Sequence, residues 1–288
     1  MYKYSLRFAT LMAVVLASTL SLTSCSDNDD DSDQPDTPPT TIDTPHPTKL
    51  MAGDHELIST SYDSNGRMTR LTIYDYYNGQ QRTVRDVQAS YSPFKLVFKE
   101  DYSTMTMSDA SFNNRGFIAK AKVTDNYEGE IESYWMTMNY DSDDHLTSFT
   151  ADGERLNITW SNGNLVDYAG EVQYTYSSEK NTSKNICYQA YMMVMAEFWL
   201  TGLFGEIPAN FPSKAIIDDS DFNTTYSYTL NSDGTIKTET ATQDGDAMTL
   251  TYIYGSRSLD NTFSRSFGEV KSFNTNKRIL NPLRRLHK

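Results

Sequence analysis

Large apolar residues alternate with small polar residues along several stretches of the chain. In residues 134–140, Tyr and Met occupy every second position, and Trp135, Thr137 and Asn139 lie between them. Residues 104–107, 156–160 and 248–254 show the same period of two. This period places alternate side chains on opposite faces of a β-strand. The pattern therefore predicts an antiparallel sheet with one apolar face and one face rich in threonine.

Turn sequences separate these stretches and recur within a longer motif. Gly, Asn and Asp supply the positive φ angles of tight hairpin turns. Five segments share a strand end, a polar turn and an apolar residue that opens the next strand: 62–71, 112–121, 140–149, 160–168 and 229–238. Such a repeat, with one hairpin per unit, predicts an up-and-down antiparallel meander of about 12 strands between residues 55 and 256. We expect a mostly all-β fold, curved or partly closed into a barrel.

Residues 185–204 (NICYQAYMMVMAEFWLTGLF) interrupt the strand pattern. The polar residues of this stretch repeat at multiples of four positions: Asn185, Gln189, Glu197 and Thr201. Because the rest of the circumference is apolar, we predict one buried apolar helix in the concavity of the sheet. The same helix is also compatible with the floor of an apolar ligand groove. A membrane-spanning role is disfavoured by Glu197 near its centre.

Glu197 is the most unusual single residue of this segment. A buried carboxyl group has a raised pKa and can act as an acid. The alternative is a carboxylate at the polar edge of the helix, paired with an arginine, a lysine or a tyrosine hydroxyl.

The N-terminus has the pattern of an export signal. Lys3 and Arg7 precede an apolar stretch of residues 8–20, which is shorter than a stable membrane span. The sequence Leu22-Thr23-Ser24-Cys25 then resembles the lipobox of bacterial lipoproteins. This resemblance implies cleavage of residues 1–24 and attachment of diacylglycerol to the Cys25 thiol. An ordinary secretory signal with a chance cysteine is the alternative.

Residues 25–48 are rich in Asp and Pro and have almost no apolar side chains. Such a segment cannot offset its ordering entropy, so we predict a disordered tether. Its acidic run also resembles the surface-export signal of Bacteroidales lipoproteins, which implies display on the outer membrane surface. A spacer facing the periplasm is the alternative. We expect residues 49–258 to form the β-meander domain with the helical insertion 185–204. We expect residues 259–288 to form a basic C-terminal tail that is either solvated or docked on the acidic domain or on anionic lipid headgroups.

The turn motifs carry a family resemblance. YDSNGRMTR and YDSDDHLTS are weakly similar to the YD repeats of large β-shell proteins. The lipobox, the acidic tether, the NSDG-type turns and the segment GLFGEIPANFPSK together resemble a family of Bacteroidales lipoproteins of unknown function. The resemblance implies a porin-like fold over residues 55–256, and it brings no activity and no catalytic residues.

The charge composition of the chain disfavours one class of function. The chain has 288 residues with 25 Lys and Arg against 38 Asp and Glu, which gives a net charge of −13. A nucleic-acid binder needs a basic footprint, so this class is disfavoured.

Cys187 would be the one free thiol after cleavage and lipidation of Cys25, and we interpret it as a buried inert thiol. With no recognisable catalytic or metal motif, we expect neither an enzyme nor a metal or cofactor, although unmarked carboxylate pairs of a glycan-active hydrolase remain an alternative. The Asp-rich segments 141–144 and 218–221 are interpreted as turn and loop rather than calcium sites.

Tyrosine gives the candidate binding residues. Four pairs of tyrosines two positions apart each lie on one strand face: Tyr74 and Tyr76, Tyr174 and Tyr176, Tyr226 and Tyr228, and Tyr252 and Tyr254. Exposed aromatic rings of this kind stack on sugars, whereas buried ones form core ladders. We predict a lipid-anchored envelope protein that binds a glycan or a protein partner without catalysis. A carrier of an apolar ligand is the alternative binding role.

Overall fold

A computed structural model describes residues 46–255 except 78–79, 152, 193 and 218–222. The proposed signal peptide, lipidation site and basic tail lie outside these residues, as does most of the tether. β1 begins at Pro47, inside the segment assigned to the tether. None of the described helices is long and apolar enough to cross a membrane.

In this part of the chain the strands are β1 (Pro47–Ala52), β2 (His55–Tyr62), β3 (Met68–Tyr77), β4 (Gln80–Tyr91), β5 (Phe94–Lys99), β6 (Ser103–Phe112), β7 (Ile118–Tyr127), β8 (Glu130–Tyr140), β9 (Leu146–Ala151), β10 (Glu154–Ser161), β11 (Asn164–Tyr168), β12 (Val172–Lys180), β13 (Asn210–Ile217), β14 (Asn223–Leu230), β15 (Ile236–Gln243) and β16 (Asp246–Tyr254). Two short helices, α1 (Tyr188–Tyr191) and α2 (Ala196–Thr201), lie between β12 and β13.

The described strands form a closed antiparallel barrel of 16 strands, in which each strand pairs with its neighbours in sequence and β1 pairs with β16. The sequence-based prediction of about 12 strands in a curved or partly closed sheet is therefore wrong. Closure depends on the pairing of Leu50 with Tyr252, two residues far apart in sequence. Local alternation and turn signals carry no information about such a contact.

The repeated turn motif forms one recurring structure. In 62–71 the Asp63 side chain accepts hydrogen bonds from the backbone N–H groups of Asn65 and Arg67, both at 2.9 Å, and Gly66 has a φ of 77°. Asn113 and Asp141 make the same pair of side-chain bonds in their own turns. Because strand direction alternates, the turns of all five motifs lie at one end of the barrel.

An aromatic residue on each of four even-numbered strands also has a structural role; Tyr140 and Trp160 belong to the turn motifs, whereas Tyr91 and Tyr176 do not. The polar atom of each of these residues donates a hydrogen bond to the carbonyl of an apolar residue that opens the strand before its own. Four such bonds of 2.6–2.8 Å join Tyr91 to Met68, Tyr140 to Ile118, Trp160 to Leu146, and Tyr176 to Leu165. In the motifs of Tyr140 and Trp160, the residue that precedes the turn thus also bonds to the strand before it.

The segment between β12 and β13 fills the barrel interior. From Asn185 to Gly205 its described residues are buried, except Met192 and Gly202, which are half-buried. The prediction of one continuous helix over 185–204 is wrong, because the segment forms two short helices of 4 and 6 residues. A 20-residue helix is about 30 Å long. The strands of this barrel have 5 to 12 residues. When such strands are tilted as in other barrels, the interior is only about 20–25 Å high. The first helix therefore ends at Tyr191, and a second one begins at Ala196.

Candidate functional site

Seven of the eight candidate tyrosines belong to the hydrophobic core or pack against it: Tyr76, Tyr174, Tyr176, Tyr226, Tyr228, Tyr252 and Tyr254. Tyr174 and Tyr252 are buried. The Tyr174 hydroxyl donates to the carbonyl of Ala190 at 3.0 Å, and the Tyr176 and Tyr191 hydroxyls are 3.0 Å apart. These contacts hold the insertion in place. Because the rings of Tyr174 and Tyr252 are buried, they are not exposed stacking platforms.

Tyr74 and Tyr76 lie on β3, where Tyr76 packs against the core and Tyr74 is not part of that cluster. Both are half-buried. The Tyr76 hydroxyl donates to the carbonyl of Glu56 at 3.2 Å, and the Tyr76 ring lies 4.2 Å from the ring of His55. The structure therefore does not gather the eight tyrosines into one binding face.

Glu239 is the centre of the interior polar network. Its carboxylate accepts the backbone N–H groups of Gln189 at 2.9 Å and Ala190 at 3.2 Å, and the Tyr252 hydroxyl at 2.6 Å. Burial raises the pKa of Glu239 to about 7. The sequence analysis did not single out Glu239, because TETAT on β15 looks like an ordinary exposed strand. Its role is to bind the first N–H groups of α1.

Glu197, the speculative acid, belongs to a second interior cluster. Its Oε1 atom lies 2.5 Å from Nη1 of Arg85, and Arg85 also contacts Glu100. The Glu197 side chain is 8% exposed. Nearby, burial and the charges of Glu132 and Glu100 raise the pKa of Asp125. The pairing with Arg85 gives Glu197 a structural partner in the interior.

The remaining candidate groups have ordinary surroundings. Cys187 is a buried free thiol, and its burial and the nearby Glu239 charge raise its pKa. The Asp141 carboxylate accepts the bonds of its own turn and contacts His145 at 2.9 Å. Residues 218–221 lie outside the described residues. Among the described residues, no group of three or more His, Cys, Asp or Glu side chains is placed to hold a metal ion.

The outer wall of the barrel offers a different kind of site. Trp135 on β8 points outward and is 48% exposed, although most large hydrophobic side chains described are buried. It pairs in register with Lys122 on β7, and Nζ of Lys120 lies 4.9 Å from the centre of its ring. Ile131, on the same strand and face, is 67% exposed. We call Trp135, Lys120, Lys122 and Thr137 the outer-face patch.

Hydroxyl groups surround this patch. Thr137 pairs with Lys120 across β7 and β8, and the Thr124 and Ser133 hydroxyls are 2.9 Å apart beside it. The sequence contained a signal for this site: Trp135 lies on the polar side of its alternating strand, among Thr and Asn. An indole on this outward face of the strand does not pack in the hydrophobic core. The patch therefore combines an exposed aromatic ring, cations and hydrogen-bonding hydroxyls.

No protein-family model matches the chain, and no curated protein matches it. Among solved structures, the chain is similar to a porin-like protein from Bacteroides uniformis, with 17% identity and a TM-score of 0.52. The match covers 74% of this chain and 99% of that one. The two chains therefore share a fold. This neighbour agrees with the fold that the family resemblance implied, and membership in the lipoprotein family stays a prediction.

Proposed function

We propose that this chain is a lipid-anchored protein of the bacterial envelope that binds a glycan on the outside of its filled barrel, without catalysis. The observation that carries the proposal is the outward indole of Trp135, set among lysines and hydroxyl groups. The inward tyrosines hold the insertion and are not needed for binding in this proposal.

The envelope location is supported by the N-terminal sequence and by the fold. Leu22-Thr23-Ser24-Cys25 matches a lipobox at the expected distance from Lys3 and Arg7. The similar barrel from Bacteroides uniformis is described as porin-like. A diacylglycerol on Cys25 would hold the protein at the outer membrane, with the acidic tether extending it from the surface.

The filled interior supports binding rather than conduction. The insertion occupies the space that a channel would need, and its described residues are almost all buried. The outward positions of β14 and β16 are mostly Thr, Ser, Asn and Asp, whereas a membrane barrel presents an apolar band to lipid. We therefore place the barrel outside the bilayer, with the lipid as its membrane attachment.

The glycan is favoured by the composition of the patch. An aromatic ring offers an apolar face to the C–H groups of a sugar ring. Hydroxyl and ammonium groups beside it can bond to the sugar oxygens. A protein partner typically buries a larger apolar core than the single aromatic ring of this patch.

The binding proposal is tested with a glycan array and the full chain in detergent. We expect Trp135→Ala to remove binding and Trp135→Tyr to retain part of it, because tyrosine keeps a ring for stacking. Ile253→Ala is the matched control, since Ile253 is 41% exposed on β16, on the opposite side of the barrel. Binding that survives in Trp135→Ala, or that is absent from the unmodified chain, would contradict the proposal.

The anchor is tested by metabolic labelling with a fatty acid. We expect the label on the expressed protein and none on Cys25→Ser, which should also leave the membrane fraction. Brief treatment of intact cells with a protease then reports whether the barrel is on the outside. A Cys25→Ser protein that keeps its label would show that the acceptor lies elsewhere.

A further inference from the structure

We propose that the ligand of the outer-face patch is an acidic polysaccharide, whose carboxylates follow a strip of cations across strands β5 to β10. This inference rests on the proposed function, because it specifies the glycan bound at Trp135. We call Lys95, Lys120, Lys122 and Arg155, together with Trp135, the cationic strip.

The strand register aligns the strip. Lys95, Ser108, Lys122 and Trp135 are paired in succession across β5, β6, β7 and β8. Lys120, Thr137, Thr150 and Arg155 are likewise paired in succession across β7, β8, β9 and β10. Neighbouring strands are about 4.8 Å apart, so the strip extends about 24 Å along the barrel wall. This length is enough to contact several consecutive sugar units.

Among the described residues, no ion pair involves Lys95, Lys120, Lys122 or Arg155, and the Lys120 ammonium lies over the Trp135 ring. Lys95, Lys120 and Arg155 are exposed and Lys122 is half-buried. The ion pairs found in the described part of the chain involve other lysines and arginines. One acidic side chain, Asp109, lies at the irregular stretch of β6 beside the strip.

This concentration of cations contrasts with the rest of the molecule. The chain as a whole has a net charge of −13. An anionic ligand is therefore repelled by most of the surface and attracted to this face. Electrostatic complementarity of this kind selects the approach direction and the partner.

The shape of the wall favours a flexible chain over a membrane. The cations are arranged across the strands, along the curved circumference of a closed barrel. A flat bilayer or a stiff DNA duplex touches such a convex wall along a narrow line and reaches few of the cations. A polysaccharide can bend around the wall, stack one ring on Trp135 and pair its carboxylates with the flanking cations.

The test compares two probes that differ in charge. Polygalacturonate carries one carboxylate per sugar, and its methyl ester has the same backbone without the charge. We expect the full chain to bind polygalacturonate, and the affinity to fall as the salt concentration rises. We expect the methyl ester to bind at least about tenfold more weakly, since each exposed charge pair contributes a modest amount.

The variants identify the surface. We expect the double change Lys120→Gln and Lys122→Gln to weaken polygalacturonate binding by roughly tenfold. Lys237→Gln, an exposed lysine on β15, is the matched control and should leave the affinity unchanged. Far-UV circular dichroism confirms that each variant is folded.

Each other outcome has a distinct meaning. If both probes bind equally and only Trp135→Ala removes binding, the glycan function stands and the acidic ligand is wrong. If anionic vesicles or single-stranded DNA bind more tightly than polygalacturonate, the polysaccharide is the wrong ligand class. If no glycan binds at all, the proposed function and this inference both fail.

Discussion

At the scale of single residues, the interior polar groups are explained by the donors and acceptors that face them. Glu239 binds two backbone N–H groups and the Tyr252 hydroxyl, and Glu197 pairs with Arg85. A buried polar or charged group is tolerated when it has such partners. The sequence marked Glu197 as unusual because it interrupts an apolar segment. It could not mark Glu239, because the two backbone N–H groups that this carboxylate binds lie 50 and 49 positions away in the sequence.

The pH dependence of stability provides a test of Glu239. The pKa of Glu239 in the folded state is about 7, above the ordinary value of 4.5. Between these two pH values the folded state therefore retains a proton that the unfolded state loses. The stabilisation from this group is complete below pH 4.5 and is lost as the pH rises through 7. In urea unfolding, we expect the free energy of unfolding of wild type, relative to Glu239→Gln, to fall by about 3 kcal/mol between pH 4.5 and pH 8. A difference that stays constant with pH would refute this assignment.

Arg85 gives a second test at this scale. Replacing Arg85 by Met leaves the carboxylates of Glu197 and Glu100 without their cation, and we expect a loss of about 3 kcal/mol in unfolding free energy. Arg70→Met is the control: Arg70 pairs with Asp86, and its side chain is 57% exposed. That change should cost less than about 1 kcal/mol. Equal losses for the two variants would mean that the interior cluster contributes no more than a surface ion pair.

At the scale of the elements, the sequence predicted hairpins because turn chemistry and alternation are local. The Asp63, Asn113 and Asp141 side chains each accept backbone N–H groups of their own turn. The motif sequence is therefore enough to predict these turns. The insertion was misjudged for the opposite reason. Its composition favours a buried helix, but the height of the barrel and the bonds to Glu239 determine where helix begins and ends.

Gly205 tests how tightly the insertion is seated. A Cβ atom at Gly205 would lie 2.6 Å from the carbonyl oxygen of Asp144, and the φ of Gly205 is 86°. Gly245 has nearly the same φ of 84° but nothing within 4 Å of a Cβ atom. We expect Gly245→Ala to cost about 1 kcal/mol from φ alone, and Gly205→Ala to cost at least about 3 kcal/mol. Thermal unfolding of the two variants measures the difference, and similar losses would show that the contact with Asp144 relaxes easily.

At the scale of the whole molecule, closure and strand number were beyond the reach of the sequence pattern. β1, β5 and β11 contain only five or six residues each, too few for a clear alternation. The pairing that closes the barrel joins the two ends of the described chain. The outer-face patch also needed the barrel, because only the strand register shows that Lys95, Lys122 and Trp135 share one row.

The central claim is that the interior is filled and that the ligand binds the outer wall at Trp135. Oxidative footprinting with mass spectrometry tests both parts, since the three tryptophans occupy different environments. Trp135 is 48% exposed and Trp199 is 3% exposed, while Trp160 is half-buried. We expect Trp135 to be oxidised fastest and to be protected when polygalacturonate is added, with Trp199 unreactive throughout. Rapid oxidation of Trp199 in the folded protein, or protection that spares Trp135, would contradict the account.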